Sequence, residues 1–298
     1  MHRGIALLIT LMFVMLISVA IGYGLSQMKR ASKIVQDENL LYKSSMVLDD
    51  VLTILQTSPD MRRLADSNSS DELYIFLQSS SYLPLDIADE KIILSFSSAR
   101  SKLNINSLKR KNEGLFREFF NRHMVSSSYV DILKDCMRKN QAKDEYNNYS
   151  STLFDQMPTL FRDYIASKKH LDMINDFYLQ EYGDTNIAKL PFAELFRYSE
   201  NEHEAIDLNY ATVAVWELIL SASKERAEQL YAAEGSYKSL EDLKLTPSEK
   251  VNISRFETSF FEPYLLVEIE IIRDESISKI RFIYDIKLKK GYDFVFEV

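Results

Sequence analysis

Between Gly4 and Lys29 the chain carries no charge, and Ile5–Met28 is built mostly from Leu, Ile, Val, Met, Phe and Ala. As a helix rising about 1.5 Å per residue this run reaches about 36 Å, enough to cross a hydrocarbon core of about 30 Å with some tilt. A secretory signal peptide needs a small-x-small cleavage site, and Gly22-Tyr23-Gly24 offers one. Yet the apolar run is longer than a usual signal core, and helical pattern continues past it without a break. A plain anchor meets a difficulty of orientation. Lys29, Arg30 and Lys33 outnumber Arg3, so a simple positive-inside count places the C-terminal side in the cytoplasm.

Beyond the uncharged run, Ile34, Leu41, Leu48 and Leu55 recur at heptad spacing. Leu40, Val47 and Ile54 sit beside them, and Val51 and Leu52 widen the stripe. Asp37, Glu38, Lys43, Asp49 and Asp50 take the other positions, which makes an amphipathic helix in need of a partner surface. Pro59 disfavours helical geometry at Ser58 and ends it. From Ile5 to Thr57 one helix would run about 80 Å. The chain's end supplies the surface for its stripe. Leu265, Val267, Ile269 and Ile271 alternate with Glu268 and Glu270, and Ile280, Phe282, Tyr284 and Ile286 repeat the pattern. Tyr292, Phe294, Phe296 and Val298 close it. The short connectors predict an antiparallel meander with one face buried.

"DELYIFL" (Asp71–Leu77) reads as a short helix or strand, and "KIILSF" (Lys91–Phe96) as a strand. From Ser107 to Phe256 the pattern is helical, "TLFDQMPTLFRDYIA" included. Early strand, helices and terminal strands in that order predict a helical domain inserted into an αβ domain. The expected bounds are 29–106 for the first αβ part, 107–256 for the insertion and 257–298 for the closing strands.

Composition excludes several classes. The formal charge of −8 disfavours a dedicated nucleic-acid surface, and "LKRKNEGLFR" (Leu108–Arg117) reads as solvated helix surface. Seven glycines and no P-loop argue against a phosphate cradle, and the one cysteine, Cys136, can form no internal disulfide. His123, His170 and His203 stand alone in polar surroundings and read as surface residues, while His2 lies in the basic start. Trp216 reads as core, at helical spacing with Val213 and Leu220. No HExxH, GxSxG or CxxC occurs, so the chain is not expected to be an enzyme.

Several stretches carry a family resemblance. A short basic leader ending in Gly4, followed at once by an uncharged helix, resembles the start of type IV pilins and pseudopilins. "SKLNINSL" (Ser101–Leu108), "AIDLNYATVAVWELI" (Ala205–Ile219) and "GSYKSLEDL" (Gly235–Leu243) are similar to segments of the K-type minor pseudopilin of type II secretion. Such chains usually carry Glu at the fifth mature position, here Ile9, and the K-type tip subunit resembles this chain in lacking it. The resemblance implies an α+β fold: a pilin-like long N-terminal helix on a C-terminal antiparallel sheet, with a large inserted all-α domain. It implies cleavage by a prepilin peptidase between Gly4 and Ile5 and methylation of the new terminus. The chain would be single-pass in the inner membrane (Ile5–Met28), with its bulk in the periplasm. Its expected partners are the I- and J-type minor pseudopilins, the inner-membrane assembly platform and secreted cargo.

Asn104, Asn106, Asp207 and Asn209 fall within these segments. Short amides and carboxylates satisfy backbone groups where strands pass into helices, and Asp207 or Asn209 is placed to cap the helix starting near Ala211. No cofactor is expected, although calcium is associated with the family's helical domain. Nothing has EF-hand spacing, and Asp184, Glu200, Glu202 and Glu204 read as solvated surface. The closest variant is a tip minor pilin of a type IV pilus. Parts of the same segments also resemble the helix-hairpin-helix of membrane-anchored DNA-uptake receptors. That module needs a Gly-rich hairpin, whereas "ELILSASKERA" (Glu217–Ala227) has no Gly, so no nucleic-acid partner is expected. "DSNSS" (Asp66–Ser70) fits an acidic-type bacterial glycosylation sequon.

Overall fold

The computed structural model describes residues 42–67, 69–87, 90–137, 152–273 and 276–297. Gly4, Ile5 and the uncharged run lie outside them, as does Asn68 of the sequon. Among the described residues no helix is long and apolar enough to cross a membrane.

Helix α1 covers 42–57 and stops at Ser58. The Ser58 hydroxyl accepts from the backbone N–H groups of Asp60 (3.2 Å) and Met61 (3.5 Å). It thereby caps α2 (Pro59–Ser67), with Pro59 at the position that lacks a helical N–H partner anyway. α3 (Ser70–Ser80) follows. "DELYIFL" therefore lies in a helix.

Five strands form one sheet: β1 (Tyr82–Ile87), β2 (Glu90–Ser98), β3 (Tyr264–Arg273), β4 (Ser276–Asp285) and β5 (Lys290–Glu297). They are ordered β1-β2-β3-β4-β5 and every pair is antiparallel, with Ile93 opposite Glu270, Val267 opposite Phe282 and Ile280 opposite Phe296. The period-2 alternation does what it predicts. Leu265, Val267, Ile269 and Ile271 are buried with Ile280, Phe282, Tyr284 and Ile286 and with Ile92, Leu94 and Phe96 of β2. Glu268, Lys279 and Arg281 face water on the other side.

Over the apolar face lie Val51 and Leu55 of α1, Met61 and Leu64 of α2, and Leu73 and Leu77 of α3. Each such side chain contributes about 1.5–3 kcal/mol on leaving water. Ser44 bonds Ser278 at 3.1 Å, tying α1 to the start of β4. The stripe is narrower than the heptads suggest, because Ile54 is exposed along with Tyr42 and Met46.

Between β2 and β3 the chain builds a second apolar cluster from helices α4 (Glu113–Arg122), α5 (Ser128–Cys136), α6 (Leu153–Gln156), α7 (Lys168–Tyr182), α8 (Phe192–Leu195), α9 (Val213–Leu220), α10 (Lys224–Tyr231) and α11 (Pro247–Ile253). Phe116, Phe119, Phe120, Tyr129, Tyr178 and Trp216 fill its centre. Side-chain caps start these helices: Ser167 for α7, Ser223 for α10, and Thr246 for α11, where Glu249 completes a capping box. Cys136 is buried at the end of α5, and burial pushes its thiol up to about 12.

Three expectations need correcting. "TLFDQMPTLFRDYIA" yields only the four residues of α6, since Pro158 follows and Asp163 sits at φ 95°. His170 is buried in the first turn of α7, with its Nδ1 accepting the Ala166 N–H at 3.2 Å. Neither Asp207 nor Asn209 caps α9. Thr212 does, its hydroxyl accepting from Val215 N–H at 3.3 Å, because the carboxylate and amide upstream are committed elsewhere.

Candidate functional site

Where the chain leaves the sheet after Ser98 and rejoins it at Tyr264, three segments run side by side and form a neck. The last sheet rung is Ala99 N–H to Tyr264 carbonyl at 2.9 Å. Beyond it Asp207 N–H donates to the Arg100 carbonyl (3.0 Å), and Leu208 N–H to the Ser259 carbonyl (2.8 Å). Two short parallel pairings bind the segments laterally, Leu103–Asn104 with Phe196–Arg197 and Ile206–Asp207 with Thr258–Ser259. The backbone changes direction too often here for a regular ladder, so side chains take over as its partners.

All four residues singled out from the sequence lie in this neck, and all are buried. The Asn104 amide donates to the carbonyls of Ser199 (3.0 Å) and Asn201 (2.9 Å), while its oxygen accepts from Asn106 N–H (3.2 Å) and Ser199 N–H (3.3 Å). Asn106 donates to Ile165 (3.0 Å) and Ser199 (2.9 Å) carbonyls and accepts from Ile165 N–H at 2.8 Å. Asn209 clamps Tyr237 from both sides, accepting its N–H and donating to its carbonyl at 2.9 Å each, and donates to the Phe260 carbonyl at 2.7 Å. Each amide thus matches donors and acceptors of a loop distant in sequence.

Asp207 accepts from the N–H groups of Asn209 and Glu262, both at 3.1 Å. Burial pushes its carboxyl up to about 7, a rise that the two N–H groups oppose and the charge of Glu262 assists.

Beside Asp207 lies an ion cluster that the sequence did not reveal. Glu204 takes the guanidinium of Arg100 at 2.6 Å and that of Arg197, and all three side chains are nearly enclosed. Arg100 also stacks over the Tyr264 ring, 4.4 Å from its centroid, and Arg197 Nε donates to the Lys102 carbonyl at 3.1 Å. Burial alone would raise the Glu204 pKa, but Arg197 and then Arg100 outweigh it and hold the carboxyl below its usual range. Glu204 is therefore not solvated surface. Asp184 is likewise engaged, capping a 3₁₀ turn through Asn186 N–H (3.0 Å) and accepting the Tyr178 hydroxyl at 2.8 Å.

On the neck's outer side a shallow cleft pairs its acids with its bases, Lys109 with Glu202 at 3.6 Å and Lys111 with Glu257 at 3.3 Å. Among the described residues no group of three or more His, Cys, Asp or Glu is placed to hold a metal ion. The chemistry on display is recognition of backbone by side chains, which makes the neck a structural joint.

No protein-family model matches the sequence, and no curated protein matches it. Among solved structures, one chain in the crystal structure of the GspK–GspI–GspJ complex from the enterotoxigenic Escherichia coli type 2 secretion system shares the fold. The alignment has a TM-score of 0.53 at 11% identity and covers 86% of this chain and 99% of that one. The fold, α+β with an antiparallel five-stranded sheet, is thus that of a component of this complex.

Proposed function

We propose that the chain is a minor pseudopilin of a type II secretion system, of the K type that caps the pseudopilus. The observation that carries this reading is the end-to-end fold likeness to a chain of the GspK–GspI–GspJ complex, covering 99% of it. The leader-like Met1–Gly4, the uncharged Ile5–Met28 and the Asn-bearing neck segments support it from the sequence side. In this reading the peptidase cuts after Gly4, the Ile5 amine is methylated, and the apolar run holds the subunit in the inner membrane until assembly. Ile9 cannot offer a carboxylate to a neighbour's terminal amine, and the bulky helical unit would obstruct any subunit stacked above it. Both features suit a subunit that starts the filament. Its partners would be the I- and J-type subunits, its role to prime assembly and support export of folded cargo, and it would carry out no catalysis.

Two measurements test this. Intact mass of the chain expressed with and without prepilin peptidase should give a methylated Ile5 terminus only when the enzyme is present. Co-purification with the two cognate minor pseudopilins should recover a ternary complex; folded, processed chain that binds neither partner would overturn the proposal.

A further inference from the structure

The neck is not the only attachment between the helical cluster and the sheet layer. Tyr210 belongs in sequence to the helical stretch, yet its side chain is buried in the sheet's own cluster, among residues of α1, α2 and α3. The carbonyl of Asn209 accepts the N–H of Gly235 at 3.1 Å, while the Asn209 side chain clamps Tyr237. Gly235 adopts φ 76°, a left-handed conformation that Gly enters without strain. An added Cβ would lie 2.0 Å from a ring carbon of Tyr74 on α3, far inside van der Waals contact. Lys238 pairs with Asp71 one turn earlier on α3 at 2.9 Å, an exposed contact of little energetic weight that nonetheless marks the same seam.

From this geometry we propose that Gly235 against Tyr74 is a latch. It is a second fastening point, remote in sequence from the strand crossings, that locks the helical unit against α3 and prevents it from pivoting about the neck. A unit joined to a sheet only through adjacent strand ends can swing as a hinge, whereas a second fastening removes that freedom. Load applied to the helical unit then passes into α3 and the sheet instead of bending the neck. Gly235 is required twice over, once for its backbone angle and once for the missing side chain.

Gly183 separates these two requirements. It also adopts a positive φ, 65°, but an added Cβ there meets nothing within 4 Å. Gly183→Ala therefore imposes the backbone strain without a wedge, and Gly235→Ala imposes both.

The test is the distance distribution between spin labels on Lys91→Cys in β2 and Lys169→Cys in α7, both exposed positions, in the full chain held in detergent. Cys136 is buried and stays unlabelled. The expected result is one narrow distribution for the parent and for Gly183→Ala, and a shifted distribution broader by about twofold or more for Gly235→Ala. Near-ultraviolet dichroism of Trp216 should show that the helical core persists. Tyr74→Ala leaves Gly235 in place and removes the other half of the contact, so it should broaden the distribution as well. A broad distribution in the parent, or a narrow one in both Gly235→Ala and Tyr74→Ala, would overturn the latch.

Discussion

Asp207 makes the neck proton-dependent in a direction opposite to that of most salt-bridged carboxylates. Its carboxyl titrates near 7 in the folded chain against 3.8 in an ordinary setting. Between pH 4 and pH 7 the folded state therefore holds a proton that the unfolded state has released, and stability must fall as pH rises through this window. Below about pH 4 both states are protonated, and above about pH 8 both are ionised, so the curve flattens at each end. A rise of about three units at about 1.36 kcal/mol each gives roughly 4 kcal/mol of lost stability across the window. That is a sizeable share of the 5–15 kcal/mol that typically holds a domain together.

Asp207→Asn removes the titration. The amide oxygen can still accept one of the two N–H groups, from Asn209 or Glu262, but its NH₂ then faces the other. This donor clash costs about 1–3 kcal/mol. The variant should thus be less stable than the parent at pH 5, and equal to it or more stable at pH 8. Urea unfolding of the full chain in non-ionic detergent, followed by fluorescence of the buried Trp216 from pH 4 to pH 8, measures both curves. Acids held low by cations, Glu204 among them, act at lower pH and are common to both proteins, so they cancel in the difference. Parallel curves for parent and variant would refute the reasoning, because they would mean that Asp207 is ionised in the fold throughout.

Glu204→Gln leaves Arg100 and Arg197 buried without a counter-charge and should destabilise by about 3–5 kcal/mol, read in the same unfolding assay. Asn106→Ala strips the Ile165 N–H of its acceptor and the Ile165 carbonyl of its donor, while the Ser199 carbonyl keeps its bond from Asn104, with an expected loss of about 2–3 kcal/mol. Cys136 should resist maleimide at pH 7.5 in the native chain and react fully in denaturant, since burial both hides the thiol and disfavours its thiolate. Rapid native labelling would show that the end of α5 opens.

The elements legible in the sequence are those whose partners act through a repeating local pattern. β3 and β4 alternate cleanly because one face of the sheet is covered and the other wet, whereas β5, expected to bury Phe294 and Phe296, exposes both along with Val295 because it is the other edge strand. α1 shows heptads because a single face meets that sheet. Legibility fails where the pattern has another cause. β1 carries no such pattern, because Tyr82, Leu83, Pro84 and Leu85 are all exposed on an edge strand, where burial imposes no alternation and Pro84 can do without a ladder partner. The stretch after α6 shows helical spacing of Leu160, Phe161, Tyr164 and Ile165, yet Leu160 and Ile165 reach the core from irregular backbone. His170 has polar neighbours in sequence but packs beside the Phe161 ring, at 6.2 Å, which only the fold brings near.

The neck shows the same division within one site. Asn104, Asn106, Asp207 and Asn209 are legible because they fall within the segments that carry the family resemblance, and short amides and carboxylates there suit backbone partners. Arg100, Arg197 and Glu204 carry no such signal, since Arg and Glu in polar loops look like solvated surface. Arg100 lies about a hundred residues from the other two, so only the closing of the loop from Ser98 to Tyr264 brings the cluster together. Each amide in the neck completes the hydrogen bonding of a loop that arrives from elsewhere, so no crossing is satisfied until the others are in place. The joint is therefore cooperative. The β2–β3 ladder uses none of these bonds, but the crossings at its end are fully hydrogen-bonded only when the helical stretch has delivered Ser199, Asn209 and Phe260 to their partners.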